Sequence, residues 1–145
     1  FHKAGRPVVL VNVNTGNAKW VQARKDARSP VRARQADWLE IAGEIKTQAD
    51  DIFITKHTWG AFFETPLHQQ LQQRGVTGIV LAGIATSIGV EGTARQASEL
   101  GYNLTFATDA MTDMVEAAHQ HSVAIIFPRI GEVGTTNDVM EKLNA

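Results

Sequence analysis

The feature that most constrains this chain is a series of short, almost unbroken runs of aliphatic and β-branched residues. They are PVVLVNV at 7–13, IFIT at 52–55, VTGIVLA at 76–82 and NLTFA at 103–107, with a shorter one near Val133. A strand wetted on one face alternates apolar with polar residues, so continuous runs read as strands covered on both faces of a parallel sheet. Helical patterns lie between them. Thr65 and Pro66 open one in which Leu67 and Leu71 stand four apart before Gly75, the order of a hydroxyl cap, a proline at the first position and a glycine past the end. Thr86 or Ser87 opens the next, with Val90, Ala94, Ala97 and Leu100 on one face and Gly101 as its stop. From Asp113 onward, Val115, Ala118, His119, Ser122, Val123, Ile126, Phe127 and Ile130 keep helical spacing, so VAIIF belongs to a helix. Asp113 and Glu116 form a capping-box pattern at its start. Strands alternating with helices require right-handed crossovers, which predicts a three-layer α/β/α Rossmann-like domain with a mainly parallel sheet.

Composition narrows the chemistry. The 145 residues, 43% of them apolar, suffice for a single domain over 1–145 with a core of its own. The absence of cysteine excludes a thiolate nucleophile, a disulfide framework and any Cys-ligated zinc or iron–sulfur centre. A net charge of -1 offers no broad basic field for nucleic acid or an anionic membrane, and no apolar run approaches a membrane span. The expected partner is a small molecule, in the cytoplasm and without a cofactor.

The chain begins at Phe1, and His2, Lys3 and Ala4 before Gly5 and Pro7 read as the last turn of a helix with a glycine cap. The domain is therefore expected to be incomplete at its N-terminus. Only Asn14 to Ala36 breaks the strand–helix rhythm. It carries Arg24, Lys25, Arg28, Arg32 and Arg34 around Trp20, and reads as a solvated loop, with a lid or an inter-subunit arm as the functional alternative.

In parallel α/β sheets the residues just beyond the strand C-termini form the site. After the first run come Asn12, Asn14, Thr15 and Gly16, with no metal-binding group. After the second, Lys56 emerges beside Trp59, Phe62 and Phe63. It reads either as a solvated surface charge or as a partly desolvated amine of lowered pKa, and at least one of the three aromatics is expected to be simple core. After the third, Gly83 to Arg95 (GIATSIGVEGTAR) runs from a glycine turn straight into a helix, so the amides of Thr86 through Gly89 are expected to face outward at its positive end. His57, His68, His119 and His121 show no ligand spacing, and His119 reads as a satisfied core histidine. No metal site is expected. The Asn103-Leu104-Thr105 glycosylation pattern falls in a strand and is read as chance.

These segments resemble the isochorismatase-like hydrolases, the cysteine hydrolase superfamily. The likeness runs through AGRPVVLVNV (4–13), ITKHTWGAFFETPLHQQL (54–71), VLAGIATSIGVEGTARQASELGYNLTFATDAM (80–111) and IFPRIGEVGTT (126–136). Its most specific parts are the lysine before GAF-x-x-T-x-L and the segment G-I-A-T-x-x-x-V-E-x-T-A-R. The resemblance implies an active site built from an Asp, a Lys and a Cys. Lys56 matches the lysine, and Gly89 stands where the cysteine would be. It further implies a cis peptide between Ile84 and Ala85, an oxyanion hole from the Ala85 and Gly89 amides, and pocket walls from Trp59, Phe62, Ile84 and Ile88.

The family's first strand and its Asp would precede Phe1, and Asp109 in TDAM reads as structural rather than as a replacement. Without a thiol no acyl-enzyme forms at Gly89. True isochorismatases also lack it, and the resemblance there implies proton transfer to a vinyl ether followed by addition of water. The expected function is hydrolysis of a small carboxylated or amide-bearing molecule without a covalent intermediate. The alternative is an inactive family member that keeps the pocket for binding or the fold for assembly, and a nucleotide-binding module is a third reading. A homo-oligomer is expected in either case.

Overall fold

A computed structural model describes residues 1–16, 18–27 and 35–144. A 3₁₀ turn at His2–Ala4 is closed by Gly5, whose φ of 62° is left-handed and whose N–H donates to the His2 carbonyl at 3.0 Å. His2 Nε2 lies 2.6 Å from Asp51 Oδ1, which ties this turn to the start of a later strand. The glycine stop expected from the sequence is in place.

The elements then follow as β1 (Val9–Val13), α1 (Lys19–Gln22), β2 (Ile52–Lys56), α2 (Leu67–Gln73), β3 (Gly78–Ile84), a π-helical turn at Thr86–Val90 running into α3 (Glu91–Glu99), and β4 (Asn103–Thr112). Next come α4 (Glu116–His121), a second π turn at Ser122–Ile126, α5 (Phe127–Ile130), β5 (Glu132–Gly134) and α6 (Thr136–Asn144). The stretch from Glu116 to Ile130 is helical throughout, as its spacing predicts, with Ser122 and Phe127 fully buried. Two residues depart from their predicted faces: Val115 and Leu100 are exposed.

Every strand pairing is parallel. β1 pairs with β2, from Val9 opposite Ile52 to Val13 opposite Lys56. β3, β4 and β5 form a second sheet in that order. The β3–β4 register breaks after Leu81 opposite Phe106 and resumes at Gly83 opposite Met111, where Gly83 takes a φ of 124° that favours glycine. Among the described residues neither β1 nor β3 carries a strand on its second edge.

One core serves both sheets. Ile52 and Ile54 of β2, Leu67 and Leu71 of α2, Val90, Ala94 and Ala97 around α3, Leu104 and Phe106 of β4, and Phe127 of α5 form a single buried cluster. Phe106 and Phe127 stack with ring centres 3.9 Å apart, which seats α5 on β4. The parallel α/β architecture is the expected one, but among the described residues double coverage does not extend to β2. Its residues alternate, Ile52 and Ile54 at 3% exposure against Phe53 at 54%.

The long polar segment contains α1. Arg28, Arg32 and Arg34 lie outside the described residues, Arg24 and Lys25 are exposed, and Lys25 Nζ stands 4.0 Å from the Trp20 ring centre. Among the described residues no helix is long and apolar enough to cross a membrane.

Candidate functional site

The C-terminal ends of the two sheets converge on Lys56. It is the last residue of β2, and its Nζ donates to the Trp59 carbonyl at 2.5 Å. The same nitrogen lies 3.1 Å from the position a Cβ would take on Gly89, in the turn after β3. Two strand ends separated by more than twenty residues of sequence therefore share one small volume, with the bare Cα of Gly89 facing the amine. Burial holds the Lys56 ammonium below the ordinary lysine range. Of the two sequence readings, the desolvated amine is the one the geometry supports.

The loop after Lys56 is tied down from three sides. Trp20 Nε1 donates to the His57 carbonyl at 2.5 Å, and His57 Nδ1 meets the Asn14 carbonyl at the same distance. Helix α3 supplies the rest. Ala61 N–H donates to Thr93 Oγ1 at 3.1 Å, and Phe62 N–H to Gln96 Oε1 at 3.1 Å. Gly92 permits this approach, since a Cβ there would come within 3.1 Å of Trp59 Cβ and 3.2 Å of the Gly60 amide. Thr93 and Gln96 were not candidates in the sequence. They stand four and seven residues beyond Gly89, on the same helix face, which is the signal by which they could have been found.

The turn after β3 is organised around one carbonyl. The Ile84–Ala85 peptide is cis, at the bond where the family resemblance places one. Ala85 O accepts from the amides of Ile88 at 3.2 Å, Gly89 at 2.9 Å and Val90 at 3.1 Å. Outside the turn, Asp113 Oδ2 accepts from Ser87 N–H at 2.7 Å and from Ser87 Oγ at 2.8 Å. The expectation of outward amides from Thr86 through Gly89 is therefore corrected. The positive end of this helix is already filled by a carboxylate of the chain itself, and the Gly89 amide expected in the oxyanion hole is spent within its own turn. Only the Ala85 and Thr86 amides take no part in these bonds.

Thr86 is completely buried. Its Oγ1 lies 3.0 Å from the Thr112 carbonyl, to which it donates, and 2.8 Å from His119 Nδ1. A hydroxyl has one proton and a carbonyl can only accept, so the His119 Nδ1–H is the donor to Thr86. His119 is a satisfied histidine, as expected, and its partner is the turn itself. Asp113, read with Glu116 as the cap of the following helix, is not its cap: α4 begins at Glu116 with Val115 at the N-cap position and no side-chain cap bond, and Asp113 instead accepts from Val115 N–H at Oδ1, 3.1 Å away, while Oδ2 holds Ser87.

The expected pocket walls separate into two groups. Trp59, Ile84 and Ile88 are exposed at 54%, 73% and 39%. Phe62, by contrast, stacks on Tyr102 with ring centres 5.8 Å apart and packs against the core, so it braces the loop from behind. Asp109 receives Thr136 N–H and Oγ1, both at 2.7 Å, and caps α6. Among the described residues no group of three His, Asp or Glu side chains is placed to hold a metal.

Parallel α/β domains bind small molecules at the C-terminal edge of their sheet, and here that edge carries a half-buried lysine and a tight turn. The isochorismatase domain model matches residues 1–138, and the chain belongs to the isochorismatase family. The isochorismatase family protein YwoC of Bacillus subtilis is 50% identical over 99% of this chain and 77% of its own length. The ureidoacrylate amidohydrolase RutB of Variovorax paradoxus is 33% identical over 88% of this chain and 51% of its own. An isochorismatase family structure from Burkholderia thailandensis superposes with a TM-score of 0.92 at 37% identity, covering all of this chain and 77% of that one. The family's members include hydrolases, amidohydrolases among them.

Proposed function

We propose that the chain carries the lysine-and-turn half of a hydrolase site acting on a small carboxylated or amide-bearing molecule without a cysteine acyl-enzyme. The observation that carries this reading is the approach of Lys56 Nζ to the bare Cα of Gly89, 3.1 Å from where a side chain would begin. Lys56 orients and polarises the substrate. The Ala85 amide stabilises developing negative charge, and Trp59, Ile84 and Ile88 wall the pocket. Gly89 serves by leaving space. The family resemblance supplies the acid as an aspartate, which is not found beside Lys56 among the described residues, where β1 and β3 each have one unpaired edge. With it, proton transfer to a vinyl ether and addition of water would follow. Hydrolysis of an amide or ureido bond, as the name of RutB implies for that relative, is the other substrate class considered.

A second reading, an inactive member that binds rather than hydrolyses, is favoured by Gly89 and by the absence of a carboxylate paired with Lys56 among the described residues. The test is turnover of a panel of vinyl ethers, amides and N-carbamoyl compounds by the chain alone and by a chain extended through a strand ending in Asp. Under the hydrolase reading the extension restores turnover, and Lys56→Ala removes it with the fold intact. Turnover undiminished in Lys56→Ala would remove that residue from the site. Binding of small carboxylates without hydrolysis, even in the extended chain, supports the second reading. A cytoplasmic location and a homo-oligomeric state complete the proposal.

A further inference from the structure

The stretch of helix that meets the Lys56 loop presents two glycines and two polar side chains at helical spacing. Gly89 and Gly92 leave their Cβ positions open, the second to Trp59 and the Gly60 amide, while Thr93 and Gln96 bond to Ala61 and Phe62. Thr93 differs from Gln96 in that its hydroxyl reaches both halves of the site. Oγ1 lies 2.7 Å from the Gly89 carbonyl oxygen and 3.1 Å from the Ala61 nitrogen, in a residue only 8% exposed. A hydroxyl carries one proton and a carbonyl can only accept, so that proton goes to Gly89 O and a lone pair of Oγ1 receives the Ala61 N–H. The Ala61 carbonyl is held separately by Thr65 Oγ1 at 2.5 Å. A single glycine separates Ala61 from Trp59, whose carbonyl accepts from Lys56 Nζ.

We infer that Thr93 is a positioning residue of the Lys56 site, its hydroxyl pinning the turn that carries Gly89 to the loop that carries the acceptor of the amine. The inference rests on the reading of Lys56 and Gly89 as one site and adds the part that sets the spacing between them. Thr93 acts through Ala61 rather than on a substrate. With the Ala61 N–H drawn to Oγ1, Gly60 lies against Gln96, where a Cβ would come within 2.0 Å of Oε1, and the Trp59 carbonyl stays within reach of Nζ. Without the hydroxyl, the N–H of Ala61, a residue 1% exposed, is left unpaired, and it regains a partner only if the loop shifts. The 3.1 Å between Nζ and the Cβ position of Gly89 is then no longer fixed. A site that must hold its groups to within about 0.5 Å depends on such supports.

The test places a carbon-13 label on lysine Cε and reads proton–carbon spectra of the folded chain below its thermal transition, with circular dichroism as the control for folding. Lys56→Arg assigns the Lys56 signal by its loss. In the parent that signal is expected to stand apart from those of the exposed Lys3, Lys19 and Lys46, with two unequal Hε shifts, because the amine is held on the Trp59 carbonyl. Thr93→Val keeps the shape of the side chain and removes the hydroxyl, and is expected to abolish the Hε inequality and move the signal toward the exposed lysines. Thr93→Ser keeps the hydroxyl and is expected to keep the parental signal. Ser122→Ala removes a buried hydroxyl bonded to Glu91 of the same helix, so it is the comparison for lost stability and is expected to leave Lys56 unchanged. Thr93→Ala replaces Thr93→Val where that variant does not fold, with the same expected loss. A Lys56 signal that coincides with the exposed lysines in the parent, survives removal of the Thr93 hydroxyl, is lost in Thr93→Ser or moves equally in Ser122→Ala overturns the proposal. So does a chain that folds with neither Thr93→Val nor Thr93→Ala, since the hydroxyl then serves the fold as a whole. No substrate enters, so failure here leaves the hydrolase reading to its own turnover test, and an absence of turnover leaves this result standing.

Discussion

Two residues show how burial and close approach act one side chain at a time. Lys56 is protonated in the unfolded chain at neutral pH, and burial lowers its pKa in the folded protein. Stability therefore rises with pH as the lysine passes through its lowered folded pKa toward the unfolded value near about 10.4. Lys56→Met keeps the stem and removes the charge, so its urea midpoint at pH 7 should exceed that of the parent and the alkaline rise should vanish. A lower midpoint at every pH would mean that the bond to the Trp59 carbonyl outweighs the desolvation it accompanies. Gly131 makes the complementary case, since a Cβ there would lie 2.6 Å from the Leu104 carbonyl oxygen, a backbone atom with little freedom to yield. Gly131→Ala is expected to cost about 1–3 kcal/mol, as overpacking does. Gly43→Ala, with nothing within 4 Å of the new methyl, is expected to stay within about 0.5 kcal/mol. Thermal melts of the pair check both.

At the scale of elements, the turn after β3 is held by α4 and the residues before it rather than by its own cap. Burial pushes the Asp113 carboxyl up, but the Ser87 N–H and hydroxyl and the Val115 and Met114 amides outweigh it and hold the group below its ordinary range. A carboxylate depressed in the folded state stabilises above its unfolded pKa, about 3.9, and that contribution is lost as pH falls through the lower folded value. Asp113→Asn should therefore flatten the acid limb of the stability curve, read as urea midpoints at pH 7 and at pH 3. A limb unchanged in steepness would show that Asp113 does not govern the turn. In the sequence Asp113 was legible as a polar anchor ahead of the helix that follows it, though not as its cap, because its near partner, Val115, is two residues away. Its second partner was not.

At the scale of the molecule, the parallel pairs β1–β2 and β3–β4–β5 share one core but, among the described residues, leave strand edges unpaired and apolar side chains exposed. Val11 is exposed at 42%, Ile84 at 73%, Met114 at 87% and Val115 at 57%. Surfaces of this kind favour association. The purified chain is expected to sediment as an oligomer at micromolar concentration, the more so in sulfate, and Ile84→Glu is expected to shift it toward monomer. A single monomeric species at all concentrations would take assembly out of the functional reading.

The sequence by itself determined the alternation of strands and helices, the glycine stops at Gly5, Gly75 and Gly101, the helical reading of VAIIF, and the lysine at the end of β2. Each of these rests on residues within one or two turns of one another, where spacing and backbone preference act directly. Tertiary structure alone decided which amides of the turn stay open, that Phe62 packs on Tyr102 and the core, and that Phe53 on one face of β2 is exposed among the described residues. Those outcomes depend on partners far along the chain: Ser87 with Asp113 across 26 residues, Thr86 with His119 across 33, and Phe62 with Gln96 across 34. A local pattern records what a residue prefers, whereas a buried polar group is satisfied by whichever distant donor or acceptor the fold brings within reach.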